Sequence, residues 1–210
     1  MPFCIGFCML TKREVIRKIG GLSSEYFPMF FEGTDYSMKV KKEGYLIGVA
    51  KGSYVYHIEH ASFKQWPKEK ERVFKHSREV FFRKWGRILR IAFILDDIKD
   101  VEEYLEELID LTNRGNFLYV FTKRYIDREK FFKDRNMFEH SGINFAKYNS
   151  IFDLFWKVLK KKKKYDFIVI KNQSFINFFY LLKFIRNIEI VYIKDNLRKE
   201  KIYLKKKFNI

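Results

Sequence analysis

The stretch Phe30-Phe31-Glu32-Gly33-Thr34-Asp35-Tyr36-Ser37-Met38-Lys39 governs how the first part of this chain is read. An aromatic run meets acidic residues suited to a first helical turn, where the partial positive charge of a helix N-terminus favours carboxylates. The pattern predicts a helix that starts near Thr34 or Asp35 and stops at Gly44, since glycine readily takes the left-handed conformation of a helix C-cap. Glu32 and Asp35, three residues apart, can then face one cleft.

Upstream, Thr11-Lys12-Arg13-Glu14 reads as a capping box, and the helix it opens runs through Ile19 to Gly20-Gly21. Downstream of Gly44, residues 45–50 and 54–58 read as two strands joined by a turn across Lys51-Gly52. From 62 to 90 the pattern is helical, with Trp66, Val73, Phe74, Phe81, Phe82 and Trp85 forming an apolar stripe. It ends in Arg83-Lys84-Trp85-Gly86, which marks a domain border.

Beyond it the texture changes. Ile91-Ala92-Phe93-Ile94-Leu95 is a compact apolar strand ending in Asp96-Asp97, followed by a helix over 101–112 and a strand over 117–121. A stretch through Ser141-Gly142-Ile143 leads to a helix over 150–160. The strand Phe167-Ile168-Val169-Ile170, a helix over 174–186 and a strand over 188–193 complete the alternation. Near-continuous apolar strands alternating with helices predict a parallel sheet covered on both faces. Residues 87–210 are therefore read as a Rossmann-like parallel α/β unit, an incomplete one. Its first loop, Asp96-Asp97-Ile98-Lys99-Asp100, has no glycine and so lacks the phosphate-cradling turn of a dinucleotide site. That argues against an NAD oxidoreductase.

Residues Cys8 to Leu22, Glu25-Tyr26-Phe27, the 30–39 stretch, Gly44-Tyr45, and Tyr56-His57 with Ser62 beyond form an ordered series. In order and spacing it resembles the acceptor-side half of an inverting family 2 glycosyltransferase with a GT-A fold, over residues 6 to 86. The resemblance implies a partial GT-A module over 1–86, ahead of the Rossmann-like unit. The region from 87 onward is similar, without a sharp motif, to the sugar-transferase-associated domains that follow such modules. The activity implied is transfer of a sugar from a nucleotide-sugar donor to a cell-surface polysaccharide or other glycan acceptor.

Such transfer needs a carboxylate within about 2.6 to 3.2 Å of the acceptor hydroxyl to take its proton. The resemblance makes Glu32 and Asp35 the catalytic candidates. Relatives often read Glu-Asp-x-Asp here, and Gly33 stands in this chain's Asp slot. The base then falls to Glu32, with Asp35 second or a structural acid, and activity itself is in question. His57 lies where relatives place a histidine near the diphosphate or its metal, so it is the candidate cofactor- and metal-binding residue; imidazole can ligate a divalent ion or hydrogen-bond a phosphate. The plain alternative is an ordinary strand-end histidine. His60 is a weaker candidate, and His76 and His140 have no constellation around them. The family uses Mg or Mn held by an Asp-x-Asp motif in its donor-binding half. The 210 residues carry neither that half nor its motif, so the expectation is a truncated form, with a complementing N-terminal half as a partner.

Composition bounds the alternatives. With 47% hydrophobic residues, 24 Phe and 13 Tyr, the chain has the material for a packed core. The net charge is +17 and the pI near 9.7. This suits a rival reading, a non-catalytic basic protein that binds nucleic acid or an anionic membrane surface. The excess is dispersed: residues 1–86 carry 16 basic and 9 acidic side chains, the remainder 27 and 17. No nucleic-acid motif accompanies it, so compositional bias is preferred to a specific nucleic-acid surface. Lys160 to Lys164 reads as a solvated helix end, and Lys205-Lys206-Lys207 as a tail able to touch an acidic membrane.

Only Cys4 and Cys8 are present, which excludes a disulfide framework and fits a reduced, cytoplasmic setting. The N-terminal residues have no basic region before a short apolar stretch, so a signal peptide is not expected. The longest apolar block, 175–185, contains Asn177 and Lys183 and falls short of the roughly 18 residues a spanning helix needs. Any membrane association is expected to be peripheral, at the inner face.

Overall fold

The computed structural model describes residues 3–50, 52–57 and 67–193. The chain divides into two compact units, Met1–Ile88 and Leu89–Ile210.

The first unit is built on three helices, α1 (Arg13–Ile19), α2 (Glu32–Lys42) and α3 (Pro67–Trp85). Helix α2 is central because it is apolar on two sides. Tyr36 and Val40 pack on Val15 of α1 with Met9, Ile19, Tyr45 and Ile47 around them. Met38 packs with Tyr26 and with Phe81 of α3. A single turn of 3-10 helix, Ser24–Tyr26, supplies that tyrosine.

Three expectations for this unit are corrected. Helix α1 has Lys12, not Thr11, at its N-cap, and no side chain caps it. The helix starts one residue later than the capping-box reading requires, which puts Thr11 outside the position that a capping hydroxyl must occupy. Helix α2 begins at Glu32, ahead of Thr34, because Phe30 and Phe31 both take left-handed backbone angles, φ 73° and 67°, and turn the chain directly into it. The two strands at 45–50 and 54–58 do not form among the described residues. The alternation is genuine, since Tyr45 and Ile47 face the core while Leu46 is exposed, but the segment is not a strand. Ser53 does donate to the carbonyl of Ala50, closing a turn without a ladder. Ile58, Lys51, Trp66 and Ser62 lie outside the described residues.

The second unit is an α/β fold with five parallel strands, consistent with a Rossmann-like architecture. Its elements run β1 (Arg90–Ile94), α4 (Ile98–Glu103), α5 (Leu105–Asn113), β2 (Phe117–Thr122), α6 (Arg128–Lys133), β3 (Ile143–Lys147), α7 (Ile151–Leu159), β4 (Phe167–Ile170), α8 (Ile176–Arg186) and β5 (Glu189–Tyr192). The strand order is β3-β2-β1-β4-β5, with every pair parallel.

Strand β1 shows why both faces are covered. Ile91 and Phe93, with Leu95 just beyond the strand, enter one core with Val101, Tyr104, Leu108 and Leu111. Ala92 and Ile94 enter the other with Leu154, Val158, Phe179 and Leu182. Period-two alternation thus feeds two cores, because both sides of a parallel sheet carry helices. Each such fully buried large side chain contributes about 1.5 to 3 kcal/mol.

The helix expected over 101–112 is two helices broken at Tyr104. Strand β3 and helix α6 were not expected at all. Strand β3 pairs with β2 in the register Leu118 to Ile143 and Val120 to Phe145.

Candidate functional site

The N-terminal turn of α2 gathers the residues singled out by sequence. It is launched by Phe30 and Phe31, two bulky residues with positive φ, each costing about 1 to 3 kcal/mol unless its surroundings over-determine it. Helix α3 does so. Phe74 meets the rings of Phe30 and Phe31 at 5.4 and 5.6 Å, Phe81 meets Phe31 at 5.2 Å, and the Ser77 hydroxyl donates to the carbonyl of Met29 at 2.9 Å.

Glu32 is the first residue of the helix. Its Oε2 is buried and has no hydrogen-bond partner. Its Oε1 lies against Gly6, close enough that a β-carbon on that glycine would come within 2.9 Å of it. The next residue, Gly33, explains itself sterically. A β-carbon there would meet the amide nitrogen of Gly6 at 2.9 Å and the carbonyl oxygen of Cys4 at 3.0 Å. The strap Phe3–Gly6 therefore crosses the helix turn at Gly33. It is pinned there by Ser37, whose hydroxyl accepts from the Cys4 amide at 2.8 Å and donates to the Gly33 carbonyl at 2.7 Å.

Asp35 has a different environment. Its carboxylate is fully buried. Oδ1 accepts from the Tyr26 hydroxyl at 3.2 Å and the Trp85 indole at 2.7 Å, and pairs with Lys84 Nζ at 2.8 Å. Oδ2 faces Lys39 Nζ at 3.1 Å. Burial alone pushes the carboxyl upward, but Lys84, Trp85 and Lys39 together outweigh it and hold Asp35 below the usual carboxylate range. Burial and the same carboxylate push the Tyr26 phenol up. Oδ1 thus joins α2, α3 and the Ser24–Tyr26 turn, while Oδ2 has the Lys39 ion pair within α2 and no hydrogen bond. The geometry makes Asp35 a structural hub, held by three cations and donors through Oδ1 and by Lys39 through Oδ2.

His57 is not on a strand. Its ring stacks on Phe7, centroids 4.3 Å apart and planes 19° apart, so it is tied to the residue after Gly6. Among the described residues no group of three His, Cys, Asp or Glu side chains is placed to hold a metal ion. His57 therefore belongs to no such group among them. His60 lies outside the described residues. His76 lines a shallow open groove of about 500 Å³ with Glu25, Val80, Arg83 and Lys84.

Sequence reasoning missed Lys41. Its Nζ is buried with no hydrogen-bond partner and lies 5.7 Å from the centre of the Phe3 ring. Burial lowers its pKa to about 8. No pattern signals this, because Lys41 sits in a run of ordinary helix-end lysines.

In the second unit, strand order reverses between β1 and β4, where ligands of open α/β sheets usually bind at the carboxyl edge. Here that edge is filled by side chains bonded to one another. Asp97 and Asp100 cap α4 reciprocally, and Asp100 also accepts from the amide of Asp96. Lys171 Nζ reaches Asp100 at 2.5 Å and Glu103 at 3.0 Å. Burial lowers its pKa, but these two carboxylates prevail and raise it above the usual lysine value. Asp96 takes the Tyr148 hydroxyl at 3.2 Å and pairs with Lys123 at 2.9 Å. Caps and ion pairs fill the place of a glycine-rich phosphate cradle.

No helix among the described residues is long and apolar enough to cross a membrane. Compared with family models, curated proteins and solved structures, the chain matches none.

Proposed function

We propose that the first unit is the acceptor-side portion of an inverting, sugar-nucleotide-dependent glycosyltransferase of the GT-A type, with Glu32 as the base. The observation that carries this reading is the Glu32 carboxylate, placed at the first turn of α2 with a buried Oε2 that no described residue engages. Glu32 has no ion pair among the described residues, whereas Asp35 is held by Lys39, Lys84, Tyr26 and Trp85, so Glu32 is the carboxylate left to take a hydroxyl proton. The ordered sequence series around it supplies the reaction class. Donor binding and the family's Mg or Mn belong to a complementing donor half, because the described residues offer neither a phosphate cradle nor a ligand set.

The acceptor is a cell-surface polysaccharide or related glycan. Saturation-transfer NMR with a panel of cell-surface oligosaccharides tests it, alongside calorimetry with UDP-, GDP- and dTDP-sugars in the presence of Mn. The expected result is oligosaccharide binding weakened by Glu32→Gln, with no donor binding. Absence of any glycan binding would overturn the assignment, and micromolar donor binding would overturn the division of labour.

A further inference from the structure

Helices α7 and α8 cover the same side of the sheet, with Leu154, Val158, Phe179 and Leu182 turned into the core. Their outer faces are also apolar. Phe152 is 64% exposed and Phe184 81%, and Trp156, Tyr180, Leu181 and Ile185 are each about half exposed. These residues belong to one patch. The Phe178 ring packs on Phe152 at 5.3 Å and on Phe155 at 4.9 Å, joining the two helices. From Phe178, steps of three and seven residues reach Leu181 and Ile185 on the same side of α8. On α7, Phe152 and Trp156 are one turn apart. A contiguous aromatic and aliphatic surface of this kind calls for a covering partner.

Charge selects the partner. Residues 151–186 carry nine basic and only two acidic side chains. Lys160 to Lys164, Lys183 and Arg186 lie toward one end of the patch, because the Arg186 guanidinium donates to the Leu159 carbonyl and brings the C-terminal ends of α7 and α8 together, while Lys157 and Lys171 are paired with Asp153 and with Asp100 and Glu103. Lys160 lies over the Trp156 ring at 5.4 Å, and the exposed Lys162, Lys163 and Lys164 follow. A second copy docked on this face would set like charges against each other. An anionic bilayer meets both requirements: its acyl boundary takes the aromatic side chains, and its headgroups take the lysines.

We propose that the outer face of α7 and α8 docks on an anionic lipid bilayer, with Trp156, Leu181 and Phe184 inserted at the headgroup boundary and Lys160 to Lys164 on the lipid phosphates. This inference stands apart from the transferase reading of the first unit and uses none of its residues.

The test is co-sedimentation of the full 210-residue chain with phosphatidylcholine vesicles, with and without phosphatidylglycerol, at low and high salt. The expected result is binding to the anionic vesicles alone, weakened by salt, with tryptophan fluorescence quenched by lipids brominated on the acyl chain. Trp156→Phe should remove the quenching. The pair Leu181→Ser with Phe184→Ser, and the triple exchange of Lys162, Lys163 and Lys164 to Gln, should each lower binding about tenfold. Melting curves verify that these exposed substitutions leave the fold intact. Equal binding to neutral vesicles, or no binding, overturns the proposal. So does self-association in sedimentation velocity that the Leu181 and Phe184 pair abolishes, or binding lost on removing residues 194–210 but kept in the face variants.

Discussion

The indole of Trp85 donates to the carboxylate of Asp35 across 2.7 Å, joining two residues fifty positions apart in the chain. With Tyr26 and Lys84 on the same oxygen and Lys39 opposite, Asp35 is the polar centre around which the helices of the first unit are fixed. Removing its charge leaves Lys39 without its ion-pair partner and Lys84 with Glu25 alone, at 3.9 Å. Both are partly exposed and can turn to water, which limits the loss. Asp35→Asn is expected to cost about 2 to 4 kcal/mol in urea titrations at pH 7.

The same site sets an acid limb. A carboxyl held below its ordinary value contributes stability above the unfolded pKa, about 3.9, and loses it as pH falls through the folded value. The first unit of the native chain should therefore lose stability progressively below about pH 4, and Asp35→Asn should flatten that limb. Denaturation followed from pH 7 to pH 2 measures it; an unchanged acid limb in the variant would contradict the assignment.

Gly33 lies in a helix, where replacement by alanine ordinarily gains up to about 1 kcal/mol. Here the new β-carbon strikes backbone atoms of Cys4 and Gly6, which cannot yield as a flexible side chain would. Both Gly33→Ala and Gly33→Asp are thus expected to lower stability, by about 1 to 3 kcal/mol. The aspartate side chain, larger still, should displace the strap further than alanine does. Thermal melts of the two variants decide the sign.

Lys41 predicts an opposite pH dependence. Its folded pKa of about 8 lies below the unfolded value of 10.5, so between these values the unfolded chain holds a proton that the folded chain has released. Stability contributed by this group rises with pH over that window. Below it the amine is charged in both states, and the folded chain bears the cost of its burial. Lys41→Met should stabilise the protein by about 1 to 3 kcal/mol at pH 7, with the gain shrinking toward pH 10.5. Parallel melts at the two pH values check this.

In the sheet, Phe93 is fully buried at the centre of β1. Phe93→Ala removes a ring from a packed core and should cost about 3 to 5 kcal/mol. Chemical denaturation followed by far-UV circular dichroism reads the loss.

The central strands were legible because their physics is local. Ile91 to Leu95 and Phe167 to Ile170 are unbroken apolar runs, and only a strand buried on both faces uses such a run at that length. Strand β3 escaped because Asn144 and Lys147 interrupt it and only its pairing with β2 defines it. The first unit behaved in reverse. Its helices carried the pattern although their starts were misplaced, and residues 45–50 alternate without forming a strand, so period two alone misled there.

The site divides along the same line. Glu32 and Asp35 were visible as a pair, yet their different surroundings come from Tyr26, Lys84 and Trp85 for Asp35 and from Gly6 for Glu32. None of these contacts follows a helical or strand period. Gly33 looked like a lost aspartate, whereas the strap beside it shows a glycine required by close backbone approach.

The strap also governs how the protein can be handled. Cys4 and Gly6 touch the first turn of α2 directly, so whatever is joined ahead of Phe3, whether an affinity handle or a fused domain, begins its path beside Glu32 and Gly33. That end is a wall of the site. A handle placed there alters the very carboxylate whose availability is to be measured.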